Sequence, residues 1–415
     1  MSMNIQSASS IREEAEEMVE WLASFGRTEN SGVTRLLYSP AWISAQRALE
    51  SKMNQIGLRA YFDDVGNLFG RLEGTEQHAP VILTGSHVDT VVNGGKFDGA
   101  YGIISGLMAV KHLRQRYGAP KKSIEVVSLC EEEGSRFPFT FWGSGSITGK
   151  YTYEDIQLVK DSDGILFTEA MNQAGFGKGD YRPPRRNDLE CFVELHVEQG
   201  SILEREGQSI GIVSHIVGQR RYTIQVIGES NHAGTTPMPF RKDAMSAASE
   251  LISYITKKAK RTDPVLVATV GKISVKPNVP NVIAGEVTFT LDVRHHEEAL
   301  LNEFCSELLQ YFQVVASDHH VEVSVSQWMN IQPVGMDEKL TEISNKIASS
   351  NDISFLNLVS GAGHDAQVFG TFCPTSLLFV PSHQGISHSP KEYTNNRDLE
   401  SGINMLIKLL YQLAY

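Results

Sequence analysis

Five residues suited to binding divalent metal ions stand at the ends of stretches that read as β-strands, scattered from residue 87 to residue 388. They are His87 in Gly85-Ser86-His87-Val88-Asp89, Asp98 in Phe97-Asp98-Gly99, Glu133 in Glu131-Glu132-Glu133-Gly134, His196 in Glu194-Leu195-His196-Val197-Glu198, and His388 in Ile386-Ser387-His388-Ser389-Pro390. Polar side chains at strand ends are how an α/β fold gathers distant residues into one site. The set points to such a fold and to metal-assisted hydrolysis.

The rest of the chain supplies the elements. Ile11, Ala15, Met18, Val19 and Leu22 recur at helical spacing, and the first forty residues read as helix. Ser39-Pro40 opens a second helix from Ala41 to Met53. Strands follow at Arg59 to Phe62, Asn67 to Leu72 and Val81 to Thr84, then a helix from Gly99 to Arg116 and a strand from Ile124 to Cys130. Phe192 to His196 forms a further strand after a loop near Tyr181 to Asn187. The alternation predicts a mixed sheet flanked by helices.

From about Ser214 the texture changes to βαββαβ, a ferredoxin-like α+β unit. Its strands read as Arg221 to Ile227, Val265 to Val275, Glu286 to Val293 and Val321 to Val325, and its helices as Asp243 to Lys260 and Glu297 to Phe312. The chain then resumes with helix Glu338 to Ser349, strand Ser376 to Phe379 and a last helix from Asp398 to Leu413. At 415 residues two domains are expected. The reading is a discontinuous metal-binding catalytic domain, 1–214 and 329–415, interrupted by a lid and dimerisation domain at 215–328.

A net charge of −12 excludes nucleic acid and anionic membranes as bulk partners, while a local Arg still allows a small anionic substrate. The first ten residues lack a basic region followed by an apolar run, and no stretch approaches the ~18 apolar residues of a membrane span. Cys130, Cys191, Cys305 and Cys373 form no CxxC pair, and Cys130 and Cys191 read as buried small hydrophobes. A reduced, cytoplasmic protein is expected.

The chemistry of the motifs is specific. Asp89 can accept the second ring N–H of His87 and so fix its tautomer. A carboxylate at Asp98 can bridge two cations. Three adjacent glutamates repel one another, and cations relieve that repulsion; Glu133 then serves as ligand and Glu132 as proton shuttle beside a metal-bound water. On the strand through His196, Glu194 and Glu198 share its face. A zinc-deaminase reading fails because Cys373-Pro374 is in the wrong order and unpaired. Imidazole and carboxylate without thiolate suit Zn²⁺, Mn²⁺ or Co²⁺. In the insertion, His232, Asn281 and Arg294 look like substrate readers, Arg294 being the natural partner of a carboxylate. His78, His112, His295, His296, His319 and His320 read as surface residues, and Gly143-Ser144-Gly145-Ser146 does not complete a nucleotide loop.

Longer matches carry a resemblance: Thr34-Arg35-Leu36-Leu37-Tyr38-Ser39-Pro40, Glu131-Glu132-Glu133-Gly134-Ser135-Arg136-Phe137, Gly218-Gln219-Arg220-Arg221-Tyr222, Asn231-His232-Ala233-Gly234-Thr235-Thr236-Pro237-Met238 and Ser360-Gly361-Ala362-Gly363-His364-Asp365-Ala366, beside the ligand motifs themselves. The whole chain resembles the ureido-hydrolysing branch of the dinuclear metallopeptidase superfamily. That branch includes bacterial allantoate amidohydrolases, and N-carbamoyl-L-amino-acid hydrolases share most of its motifs. The resemblance implies two divalent ions per subunit, Mn²⁺ first, with Zn²⁺ or Co²⁺ as alternatives. His87, Asp98 and His196 would hold one, and Asp98, Glu133 and His388 the other. It implies Glu132 as general base and Asp89 as the partner of His87. Gln199, Arg220, Asn281 and Arg294 would contact substrate. His232 would meet the oxyanion, offered by the partner subunit of a homodimer. The implied reaction is hydrolysis of allantoate to ureidoglycine, ammonia and carbon dioxide, with a carbamoyl amino acid as the alternative substrate.

Overall fold

The computed structural model describes Ser10–Tyr415. Met1–Ser9, most of the segment read above as lacking a secretory signal, lies outside the described residues. Two compact units emerge, one running to Ser214 and resuming at Gly335, the other His215–Val334.

The first unit begins with α1 (Ile11–Ala23), closed by a capping box in which Ser10 and Glu13 satisfy each other's backbone N–H groups. The helix stops at Ala23, well short of the fortieth residue. Gly26 at φ 100° and the turn formers up to Gly32 break it, and Arg27 pairs with Val33 in a bridge. Ser39 then caps α2 (Pro40–Gln55). There follow β1 (Arg59–Phe62), β2 (Leu68–Leu72), β3 (Val81–His87), α3 (Ala100–Tyr117), β4 (Ile124–Leu129), the short α4 (Trp142–Thr148), α5 (Tyr153–Ile156) and α6 (Phe167–Gln173), β5 (Leu189–Val197), α7 (Ile202–Glu206) and β6 (Ile210–Ile216).

The second unit runs β7 (Gly218–Ile227), α8 (Ala244–Thr262), β8 (Val267–Thr269), β9 (Ile273–Lys276), β10 (Glu286–His295), α9 (Glu298–Asp318) and β11 (Glu322–Ile331). Its antiparallel sheet has the order β11-β7-β10-β8, with β9 also on β10, which is the ferredoxin-like arrangement. The strand read as Val265 to Val275 is two strands. Gly271 separates them, and each pairs with a different half of β10. Alternate residues of β7 and β10 (Tyr222, Ile224, Val226, Val287, Phe289, Leu291, Val293) pack on Ala248, Leu251 and Ile255 of α8 and Phe304, Leu308 and Phe312 of α9. His295, read as a surface residue, is buried here, its Nε2 lying 3.3 Å from Asp263 Oδ1.

The chain returns through β12 (Val334–Gly335), α10 (Glu338–Ser350), β13 (Phe355–Ser360), α11 (Asp365–Phe369), β14 (Thr375–Val380) and α12 (Asn396–Ala414). The nine-stranded sheet has the order β1-β2-β4-β3-β5-β14-β6-β12, with β13 on β6. Its centre matters most, because β4, β3, β5 and β14 are mutually parallel. Their carboxyl ends therefore share one edge, where ligand-binding groups collect in open α/β sheets. β3, β4 and β14 are buried along their whole length, as strands covered on both faces are.

β3 runs three residues further than its apolar stretch predicts, through Gly85-Ser86-His87, so His87 ends the strand itself. Gly85 makes this possible. At φ 145° a Cβ there would fall 2.0 Å from the Val127 carbonyl oxygen of β4. Replacing Gly85 with Ala is expected to cost about 2–4 kcal/mol of stability, read as an earlier denaturant midpoint by circular dichroism.

Candidate metal centre

Each candidate ligand reaches the shared edge by its own route. His87 ends β3, Asp98 lies on the way from β3 to α3, Glu133 follows β4, His196 is the penultimate residue of β5, and His388 follows β14. Gly99, at φ 63°, lets Asp98 come up against His87, for a Cβ there would meet the His87 ring at 2.5 Å.

The geometry centres on the Asp98 carboxylate. Its Oδ1 lies 3.4 Å from His87 Nε2 and 3.2 Å from His196 Nε2, and its Oδ2 lies 3.3 Å from His388 Nε2. His388 Nε2 is in turn 3.6 Å from Glu133 Oε2. Ligand atoms of His87, Asp98 and His196 form one group close enough to hold an ion, and those of Asp98, Glu133 and His388 form another. Glu132 also groups with His87 and Glu133.

Hydrogen bonds set the tautomers. His196 Nδ1 lies 2.9 Å from the Val197 carbonyl and so carries the proton, leaving the Nε2 lone pair towards Asp98, where Gly99 N–H also reaches it at 3.0 Å. His87 Nδ1 lies 3.1 Å from the Asp89 carbonyl oxygen and 3.3 Å from its Oδ1, so its Nε2 also faces Asp98 as an acceptor. Asp89 does two further jobs, accepting the N–H of Glu132 at 3.0 Å and of Glu133 at 3.2 Å. One buried carboxylate thus orients a histidine and the acidic turn together.

Acceptors facing acceptors need a positive charge between them. Glu133 Oε1 is buried with no hydrogen-bond partner, as an oxygen reserved for a cation would be. Burial and the neighbouring Asp98 push the Glu133 carboxyl up to about 7. Burial and Glu133 lift Glu132 well above the carboxylate range against the pull of His87. Burial opposes charge on His87, yet Asp89 and Asp98 outweigh it and hold the imidazole well above its ordinary value. His388 is lifted to about 9, chiefly by Asp98. Protons take the place of cations here, and the imidazole and carboxylate donors of the two groups, with Asp98 in both, fit divalent ions.

Gln199 sits at the same place, its Nε2 donating to Asp98 Oδ2 at 2.8 Å. The other sequence-predicted readers lie in the second unit. His232 pairs as a bridge with Val282, next to Asn281. Its Nδ1 accepts the N–H of Gly234 and Thr235, each at 3.1 Å, so the neutral ring presents Nε2–H outward. Both His232 and Asn281 are exposed. Arg294 lies within β10, not at its end, and Asp292 braces its guanidinium at 3.1 Å. Arg220 pairs with buried Val293 and Arg294 with Gln219, so the two arginines face opposite sides of the sheet. Arg220 is buried and donates to Ile331 O, Asn302 Oδ1 and Gln332 Oε1.

A family model described as peptidase family M20/M25/M40 matches residues 83–412. The chain belongs to this family. An allantoate amidohydrolase of Bacillus subtilis (strain 168) is 47% identical over 406 residues, covering 98% of both chains. One from Escherichia coli (strain K12) is 45% identical over 404 residues, covering 97% of this chain and 98% of that one. A solved structure of an amidase of the hydantoinase/carbamoylase family from Burkholderia multivorans superposes with a TM-score of 0.93 at 34% identity, covering 97% and 98%.

Around this M20-family site stand residues that sequence reasoning left without a role. Arg35 is almost fully buried and donates to the Val88, Leu22 and Phe25 carbonyls, fastening the backbone between His87 and Asp89. It stands in the motif Thr34-Arg35-Leu36-Leu37, but nothing in one sequence says that a Thr-Arg pair is buried. Glu194 accepts Ser86 Oγ–H at 2.7 Å and Ala366 N–H at 2.8 Å, joining β3, β5 and α11. His364 packs edge-on against His196, ring centroids 4.6 Å apart.

The pH dependence of ion uptake follows with a definite sign. Glu133, at about 7, must lose its proton to become a ligand, and His388, at about 9, likewise. Uptake therefore releases protons, and affinity rises with pH. Competition titration with Mn²⁺ from about pH 6 to pH 8 should show affinity climbing roughly tenfold per unit for each proton displaced.

Proposed function

We propose that this chain hydrolyses allantoate at a ureido C–N bond, giving ureidoglycine, ammonia and carbon dioxide. The observation that carries the hydrolytic reading is the Asp98 carboxylate, whose two oxygens turn to two separate ligand groups. The substrate assignment rests on identities of 47% and 45% to allantoate amidohydrolases against 34% to the hydantoinase/carbamoylase amidase. The second reading, an N-carbamoyl-L-amino-acid hydrolase, is supported by that amidase's likeness over 97% of the chain.

His87, Asp98 and His196 would hold one ion and Asp98, Glu133 and His388 the other, with Mn²⁺ the preferred metal and Zn²⁺ or Co²⁺ alternatives. Bound there, the pair supplies an acidified water and polarises a carbonyl that two nitrogens have made a poor electrophile. Glu132 takes the water proton and passes it to the leaving nitrogen. Its carboxylate groups with His87 and Glu133, which puts it beside that water. The Asp89 carboxylate holds the turn in place by accepting the Glu132 N–H. His232 Nε2–H and the Asn281 amide meet the oxyanion, each such donor contributing about 3 kcal/mol. Arg294, oriented by Asp292, takes the substrate carboxylate as a fork. Gln199, whose Nε2 donates to Asp98, and Arg220 would contact the substrate as well. The second unit would act as lid and dimerisation domain, with His232 donated across a homodimer. Four free cysteines suit a reducing cytoplasm, and no helix among the described residues is long and apolar enough to cross a membrane.

Ammonia release decides the substrate. Metal-loaded protein should turn over allantoate at a kcat/KM at least about tenfold above any of a panel of N-carbamoyl-L-amino acids, a margin of about 1.4 kcal/mol in transition-state binding. The reverse ranking selects the second reading. Glu132→Gln and His232→Ala should each cut turnover by about 10²-fold or more. Mixed dimers of the two variants should regain part of the wild-type rate, and no gain over the separate variants would end the cross-subunit role of His232.

A further inference from the structure

Glu392, four residues past His388, is 4% exposed and is not a member of either ligand group. Its Oε1 accepts the backbone N–H of Phe97 at 2.8 Å and of Asp98 at 3.1 Å. Its Oε2 accepts the Ser387 hydroxyl at 2.8 Å, and that hydroxyl also lies 3.1 Å from Asp98 Oδ2. Gly95 closes over the carboxylate, since a Cβ on it would fall 2.2 Å from Glu392 Cδ.

His388 needs a brace of this kind. Its backbone stands at φ 53°, a conformation costly for a residue with a side chain and kept only where neighbours impose it. Burying a carboxylate is also costly unless its oxygens are satisfied, and all three donors here come from the two segments that carry Asp98 and His388. These segments are nearly three hundred positions apart in the chain. One side chain ties them together.

We propose that Glu392 is a positioning residue that sets Asp98 and His388 at the separation the second ion requires. The proposal rests on the two-ion reading above, so its test measures ion binding directly. Metal-stripped full-length protein would be titrated with Mn²⁺ by calorimetry, with thermal melting as a check on folding. The wild type should take up two ions per chain. Glu392→Ala should keep the first ion and bind the second about 10- to 100-fold more weakly, the range typical of lost outer-shell partners. Glu392→Gln, whose amide oxygen still accepts both N–H groups, should stay within a few-fold of wild type. Ser387→Ala, which cuts one limb together with that hydroxyl's own contact to Asp98, should fall between the two.

Two wild-type-strength ions in Glu392→Ala would overturn the proposal. So would a folded Glu392→Gln as impaired as Glu392→Ala, because charge and not placement would then be what matters. Should Glu392→Ala fail to fold, an unchanged second affinity in Ser387→Ala overturns it instead. A wild type that takes up no second ion removes the two-ion reading and the brace with it.

Discussion

The first unit is organised around a shared problem of charge. Asp98, Glu131, Glu132, Glu133, Glu194, Asp365 and Glu392 gather where β3, β4, β5 and β14 end, on elements buried too deeply for water to screen them. Burial drives Glu131, Glu132 and Asp365 well above the ordinary carboxylate range. A fold that concentrated so many acids without cations would be working against itself. Around the cluster the structure provides what positive character it can from the chain: backbone N–H groups at Asp89, Glu194 and Glu392, and the buried guanidinium of Arg35 behind the Asp89 turn. These hold the acids in place. They leave Glu131 Oε2, Glu133 Oε1 and both Asp365 oxygens without hydrogen-bond partners.

Much of this was legible in the sequence for a simple reason. A strand buried on both faces is an apolar run, so a polar residue at its end stands out, and His87, Glu133 and His196 were found that way. The same logic misjudged the length of β3, because Gly85-Ser86-His87 is polar yet buried, with Ser86 satisfied by Glu194. Partnerships between distant segments were invisible. Glu392 looks like any acid after Ser389-Pro390-Lys391, and Asp292 like any acid of a half-buried strand; their roles come from the N–H groups and the guanidinium they meet in three dimensions. β7 and β10 bury every second residue, as their sequence ranges lead one to expect, but Gly271 splits the neighbouring stretch from Val265 to Val275 into two strands.

The second unit divides its charges by face. On one side of its sheet Arg220 is consumed internally by Ile331, Asn302 and Gln332. On the other, Gln219, Arg221 and Arg294 all converge on Asp292, which lends Arg294 a fixed orientation. An arginine held by a carboxylate on its own strand keeps less side-chain freedom than a solvated one. His232 is prepared in a similar way by the N–H groups of Gly234 and Thr235.

The place of β14 in the large sheet bears on how the molecule assembles. It lies between β5 and β6, although the sequence reaches it only after the whole second unit has been made. Until residues 375–380 insert, β5 has an open hydrogen-bonding edge beside His196, in a strand that is buried along most of its length once the sheet is complete. Long-range parallel pairing of this sort is slow, because loop closure must precede any reward from contact. A β5 edge without β14 would be an open, apolar strand edge, the kind that is prone to pair with other chains. The strand that leads to His388 thus fills the middle of the sheet and supplies part of the edge where the candidate ligands gather.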